Sequence, residues 1–226
     1  PKIFQQHQSQ YFQLIQDGNQ LGIYTWILFA QSHAETFLQL ADAYTDNCFL
    51  LFCKPDEITD EFVNAVSSRD NLMVVVCCNN DASEACLRLR KAGILFSVYY
   101  MYSEKDLHSI ENCSLFYMVQ ELHPLFSVFV AQPDCPDAVQ KRVSQTIQTT
   151  RKEQQYRTIL LEMDEDNRLV DKIISDDACS VCFSSDGMLY QGKNGSAKND
   201  CNLFTSPLQE ILQKALPKNQ NKCVSV

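Results

Sequence analysis

Leu72-Met-Val-Val-Val-Cys77 is an unbroken apolar run, followed by Asn79, Asn80 and Asp81 and then by Ala85, Cys86, Leu89 and Ala92 at helical spacing before Gly93. A strand with one face in water alternates apolar and polar residues, whereas a strand buried on both faces reads as a continuous run. The short polar side chains after it are of the kind that cap a helix start, and Gly93 is placed to end that helix. This stretch predicts one strand–helix unit of a parallel sheet.

The same unit recurs on both sides of it. Upstream, Tyr24–Ala30 is a run with Ser32 as a helix cap and Glu35 at its third position. Phe37, Leu38, Leu40 and Ala41 follow on one face. Cys48–Cys53 is the next run, with Pro55 in a first helical turn and Ile58, Phe62, Val63 and Val66 behind it. Downstream, Ile94–Met101 precedes a short acidic helix, Ser103–Ile110. Cys113–Val119 reads as a fifth strand and Pro124–Val130 as a sixth. A long polar helix then runs from Pro136 to about Gln155, and Thr158–Glu162 is a seventh strand. Repeated strand–helix alternation gives right-handed crossovers, and hence a barrel or a doubly wound sheet. The expected fold class is α/β, with parallel strands in an incomplete TIM-like barrel. A doubly wound protein of unrelated function is the alternative.

Four segments follow. Residues 1–20 form an N-terminal helix, read over Ile3–Asp17, and residues 21–163 form the partial-barrel core. Residues 164–217 form a small C-terminal appendage. It holds a hairpin over Cys179–Gln191 that turns at Ser184–Gly187, a flexible loop from Gly192 to Asp200, and a helix from Ser206. Residues 218–226 are a disordered tail.

Composition narrows the function. The chain has 226 residues, 45% of them hydrophobic, and a net charge of -9. That acidity argues against nucleic acid, which needs a basic face, and against an anionic membrane surface. No apolar run is long enough to span a bilayer and no signal peptide is visible. The chain begins Pro-Lys-Ile-Phe, which leaves room for a segment upstream. Its 11 cysteines, mostly inside apolar runs, fit buried thiols in a reducing compartment, so a cytoplasmic location is expected. With only 6 glycines and no Gly-rich loop, phosphate-cradling sites are poorly supported.

Candidate site residues lie where strands would end, because ligands of parallel sheets bind at the carboxyl edge. His33, Lys54, Asn79, Gln120 and His123 are the expected ligand rim, with helix capping as the alternative for Asn79 and solvation for the histidines. Cys179 and Cys182 are spaced as one turn of a metal site, with Cys201 downstream, so zinc or an iron–sulfur cluster could be held there. Buried or free thiols are the competing reading, and the expectation is a protein with no cofactor. No catalytic nucleophile–base pair is evident.

The order of elements resembles a radical-SAM core barrel followed by the C-terminal extension of peptide-modifying members. Three stretches carry this: Cys77–Tyr102, Ala178–Tyr190 and Thr205–Leu212. The resemblance implies a cluster loop with three cysteines after the first strand, but that place reads Ala30-Gln-Ser-His-Ala-Glu-Thr36. It also implies a glycine-rich stretch after the second strand, where Cys53-Lys-Pro-Asp-Glu57 stands. A cysteine expected after the hairpin is Gly192. The implied protein is a degenerate member, with the scaffold kept and the cluster lost. It would be a non-catalytic binding or accessory protein with a peptide or protein partner in natural-product maturation. A metal- or cluster-binding enzyme using Cys179, Cys182 and Cys201 is the alternative.

Overall fold

A computed structural model describes residues 6–30, 34–153, 156–163, 169–170, 182–183, 187–191 and 196–215. It divides into two compact units, Thr25–Met163 and a unit made of Pro1–Tyr24 with Asp164–Val226. In chain order, α1 (Gln8–Gln20) belongs to the second unit. The first unit then runs β1 (Thr25–Phe29), α2 (Leu38–Ala43), β2 (Cys48–Cys53), α3 (Asp60–Val66), β3 (Leu72–Cys77) and α4 (Ser83–Lys91). It continues through β4 (Phe96–Tyr102), α5 (Leu107–Glu111), α6 (Ser114–Gln120), β5 (Phe126–Ala131), α7 (Asp137–Glu153) and β6 (Ile159–Met163).

The strands lie side by side in sequence order from β1 to β6, every neighbouring pair parallel. This order decides between the two sheets that the sequence allows. A doubly wound sheet reverses its order so that right-handed crossovers cover both faces. A sheet that only advances puts every crossover on one face and curls toward a barrel. The first unit is therefore a singly wound, curled half-barrel, the barrel-type alternative that the repeated units allowed.

Register separates the two faces. Phe129 meets the ring of Phe116 on α6 edge-on, with centroids 5.1 Å apart, so its face is the helix-covered one. Tyr100 pairs with Phe129 and Cys53 with Val76, and side-chain alternation puts Cys53, Val76, Cys78, Tyr100 and Phe129 on that face. The opposite, concave face carries a core of Phe52, Val75, Val128, Val130 and Met163. Ile27, Leu50, Tyr99, Met101, Phe126 and Leu161 pack against it. Continuous apolar runs were the sequence's sign of two buried faces, and both faces are indeed apolar.

Side-chain hydrogen bonds fix the helix ends. Thr59 caps α3 by accepting a hydrogen bond from Phe62 N through its Oγ1, at 3.2 Å. Asp106 closes a capping box with Ser103, and its Oδ1 also accepts from the Tyr100 hydroxyl at 3.0 Å. Arg69 at the end of α3 reaches Asp42 at the end of α2 with two parallel bonds, Nε–Oδ1 2.8 Å and Nη2–Oδ2 2.7 Å.

One expected strand is a helix. Cys113–Val119, read as the fifth strand, is α6. Its burial shows why: Leu115, Phe116 and Val119 are buried while Tyr117 and Met118 are exposed, a one-sided helical stripe rather than a two-sided strand. Asn112 Oδ1 accepts from Ser114 N at 2.9 Å, and Cys113 takes a left-handed conformation (φ 64°), a start signal that a run of apolar letters hides. The runs read as sixth and seventh strands are therefore β5 and β6.

The second unit contains α1, the short strand β7 (Leu169–Val170), β8 (Cys182–Phe183), β9 (Met188–Gln191), β10 (Ser196–Asn202) and α8 (Leu208–Ala215). β8 and β9 are antiparallel, as the hairpin expectation had it. The loop expected from Gly192 to Asp200 is corrected: Ser196–Asn202 is a strand paired antiparallel with β9. Its polar letters carry no apolar alternation, and what marks it as a strand is its backbone pairing with β9. Leu189, Cys201 and Ile211 form the core of this unit, with Phe183 and Leu203 packed against it. The ring of His7 stacks on Phe204 at 4.2 Å and Tyr11 meets it edge-on at 5.7 Å, which ties the start of α1 to this unit. The tail 218–226 lies outside the described residues.

Candidate functional site

The carboxyl edge of the half-barrel carries the mouth of the concave face. β1 ends there in Phe29, paired with Phe52 one residue before the end of β2; their rings are 4.7 Å apart, and Phe52 is 5.2 Å from Tyr99 on β4. Phe29 is 41% exposed, an aromatic edge left open to solvent beside a buried one. Cys77 and Met101 end the concave rows of β3 and β4. The result is an apolar, aromatic seat with a polar rim, the composition of a site that holds apolar groups and orients them with few polar contacts.

Of the expected rim residues, Lys54 stands exposed just beyond β2 and Asn79 just beyond β3. Asn79 is engaged: its Nδ2 donates to Met101 O at 2.6 Å and its Oδ1 accepts from Met101 N at 2.7 Å. The amide thus extends the pairing of β3 with β4 past the end of β3. His33 lies outside the described residues.

Gln120 and His123 are not at this edge. Because Cys113–Val119 is a helix, Gln120 ends α6 and His123 sits in the loop that leads into β5, so both belong to the amino edge. There they line one cavity of about 420 Å³ with Glu121, Pro124, Arg157 and Thr158. The loops are locked together beneath it. Gln120 Oε1 accepts from Arg157 N at 3.0 Å, and Thr158 Oγ1 donates to Pro124 O at 3.3 Å. His123 has φ 56°, a left-handed conformation uncommon outside glycine. The sequence could not announce this cavity, because its two halves come from loops far apart in the chain.

The thiols divide by face. Cys53, Cys78 and Cys86 are buried on the helix side, where desolvation pushes all three thiols up, Cys86 to about 11. Cys77 points to the concave side, so adjacent Cys77 and Cys78 diverge as strand geometry requires. Among the described residues no group of three His, Cys, Asp or Glu side chains could hold a metal ion. Of the thiols expected to bind metal, Cys179 lies outside the described residues and Cys182 is in β8. Cys201 is 2% exposed in the apolar core of its unit.

Among the solved structures that share this fold are three of SuiB from Streptococcus suis: one bound to S-adenosylmethionine, one bound to the precursor peptide SuiA, and one of SuiB by itself. Each aligns over 90% of this chain with a TM-score of 0.62, at 9%, 9% and 8% identity. At that identity the likeness is one of fold. The chain spans about 57% of the length of SuiB. No family model matches the sequence, and no curated protein does. Among the described residues no helix is long and apolar enough to cross a membrane.

The radical-SAM resemblance implies a cluster held by three thiolates in the loop after β1. The seven residues there, Ala30-Gln-Ser-His-Ala-Glu-Thr36, include no thiol, and the backbone of Ala34 is instead bonded to a carboxylate: Glu57 Oε1 accepts from Ala34 N at 3.2 Å. Cys53 and Cys78 on the sheet and Cys86 on α4 lie on the helix-covered side, away from the mouth. This donor set does not fit a cluster at that loop.

Proposed function

We propose that this chain is a non-catalytic binding or accessory protein that holds a peptide in the mouth of its half-barrel. The single observation that carries the reading is the aromatic seat Phe29–Phe52–Tyr99, open beside a loop that offers no cluster ligand. Exposed aromatic edges at the end of a rigid sheet bind apolar side chains at little entropic cost, since the rings are already fixed by packing. Lys54 and His33 are the rim groups proposed to orient the guest. Peptide natural-product maturation is the setting this suggests, because SuiB, which shares the fold, has been seen with its precursor peptide.

The test has two arms. Protein purified without oxygen is measured for iron and acid-labile sulfide and then incubated with S-adenosylmethionine and a strong reductant. Neither stoichiometric iron nor reductive cleavage is expected. Stoichiometric iron with cleavage would return the chain to the enzymes and overturn the reading. In the second arm a displayed random-peptide library is selected on the protein. Enriched peptides should bind wild type with micromolar dissociation constants and lose at least tenfold in affinity to Phe29→Ser. Equal binding to both would remove the mouth as the site.

A further inference from the structure

The amino-edge cavity lies at the end of the sheet opposite the mouth, and the proposed peptide site makes no use of it. Its lining is short of partners. Arg157 spends its backbone N–H on Gln120, while its guanidinium has no hydrogen-bond or ion-pair partner among the described residues. Gln120 has its oxygen occupied by that same N–H, while its Nε2 makes no hydrogen bond among the described residues. The His123 ring is likewise without a partner among the described residues. Glu121 lines the same space and makes no ion pair with Arg157 within it.

These groups define a chemistry. A guanidinium presents paired N–H groups that match the two oxygens of a carboxylate, and an amide donor beside it adds a further bond. The carboxylate of Glu121 opposes a ligand of high negative charge. Phosphate, a mixture of mono- and dianion at neutral pH, is disfavoured next to it in its dianionic form, whereas a monoanion with a neutral or cationic remainder is not. A volume of about 420 Å³ falls within the roughly 300–1,000 Å³ of small-ligand sites. The backbone supports a role for the imidazole too. A histidine at φ 56° occupies a conformation that glycine would take without strain, and strained positions of this kind concentrate at ligand sites.

We propose that the cavity lined by Gln120, Glu121, His123, Pro124, Arg157 and Thr158 binds a small carboxylate of low net charge, seated on the Arg157 guanidinium. The carboxylate is either that of a free small molecule or the C-terminus of a peptide. This assignment is independent of the mouth.

The test is an NMR titration of the full chain, following the His123 ring signals. The probes are N-acetylalanine, its amide, inorganic phosphate and the tripeptide Ala-Ala-Ala with a free C-terminus. N-acetylalanine is expected to shift the His123 signals saturably in the millimolar range, the amide not to, and phosphate to bind more weakly. A tripeptide that binds tighter than N-acetylalanine identifies a peptide terminus as the ligand, and equal binding identifies a free small carboxylate. Arg157→Gln, an exposed substitution, should weaken binding at least tenfold. His123→Gly suits the left-handed backbone, so it should keep the fold and also weaken binding, read from Arg157 side-chain signals. No saturable shift, an amide that binds as well as the acid, phosphate binding tighter than carboxylate, or full binding by Arg157→Gln would each overturn the proposal.

Discussion

The carboxamide of Asn79 forms two hydrogen bonds with the backbone of Met101, donating to its oxygen at 2.6 Å and accepting from its nitrogen at 2.7 Å. A side chain here does what the next residue of a strand would do. It fixes the end of β3 against β4 and so fixes the mouth between them. Asn79→Ala should therefore destabilise the protein by about 1–2 kcal/mol, the worth of two partly exposed hydrogen bonds. Asn79→Asp keeps the acceptor but sets a carboxylate against the Met101 carbonyl, so it should cost at least as much. Urea melts of both variants check this. An Asn79→Ala protein as stable as wild type would mean that the amide is a rim group and not a brace.

Phe29 and Phe116 separate binding from stability. Phe116 is 1% exposed and packs on Phe129, so Phe116→Ala should cost about 3–5 kcal/mol by opening a cavity. Phe29 is partly exposed, so Phe29→Ser should cost roughly 1 kcal/mol while abolishing most peptide binding. Denaturation and peptide titration on both variants, at a temperature where both are folded, check the pattern. A Phe29→Ser protein as unstable as Phe116→Ala would make Phe29 a core residue.

The buried thiols make the fold sensitive to alkali. Burial pushes Cys86 from its ordinary value near 9 up to about 11, with Cys53 and Cys78 also raised. The native protein therefore keeps a proton that the unfolded chain releases. Stability is full below about pH 9 and falls as pH rises toward 11, by on the order of 2 kcal/mol for Cys86. Cys86→Ala should flatten part of that decline in a pH series of urea melts. In the native protein at pH 8 a disulfide reagent should modify exposed Cys48 quickly and Cys53, Cys78 and Cys86 only on unfolding. Fast modification of Cys86 would contradict its burial.

Most of the half-barrel was legible because burial on two faces leaves a mark in composition, and Leu72–Cys77 shows it most clearly. Cys113–Val119 shows where the mark fails. An apolar run of that length fits a strand or a short helix, and the deciding facts, the left-handed Cys113 and the packing of Phe116 on Phe129, are tertiary. That one misreading moved Gln120 and His123 to the wrong edge of the sheet. β10 was hidden for the opposite reason, since its letters are mostly polar and its pairing with β9 is not written in them. Lys54 and Asn79 were placed correctly at strand ends, but that Asn79 is tied to Met101 could not be read from sequence.

Gly187 tests the second unit by itself. Its φ is +82°, and a Cβ added there would stand 2.8 Å from Asn202 Oδ1 and 2.8 Å from the Phe204 ring. Neither neighbour is free to retreat. Asn202 Oδ1 accepts from Phe204 N at 2.8 Å, and the Phe204 ring is held between His7 and Tyr11. Leu203 N also donates to Gly187 O at 2.8 Å, so the turn and the strand cannot separate without losing that bond. Gly187→Ala therefore combines a left-handed penalty with a steric clash, and should cost roughly 2–3 kcal/mol. Cys201, buried in the same core, reports on it locally. In Gly187→Ala its reaction with a thiol reagent should become at least tenfold faster, while Cys53 and Cys86 of the half-barrel stay protected. Equal acceleration at all three would mean that the two units unfold together, and no acceleration at Cys201 would mean that the turn relaxes around the added methyl.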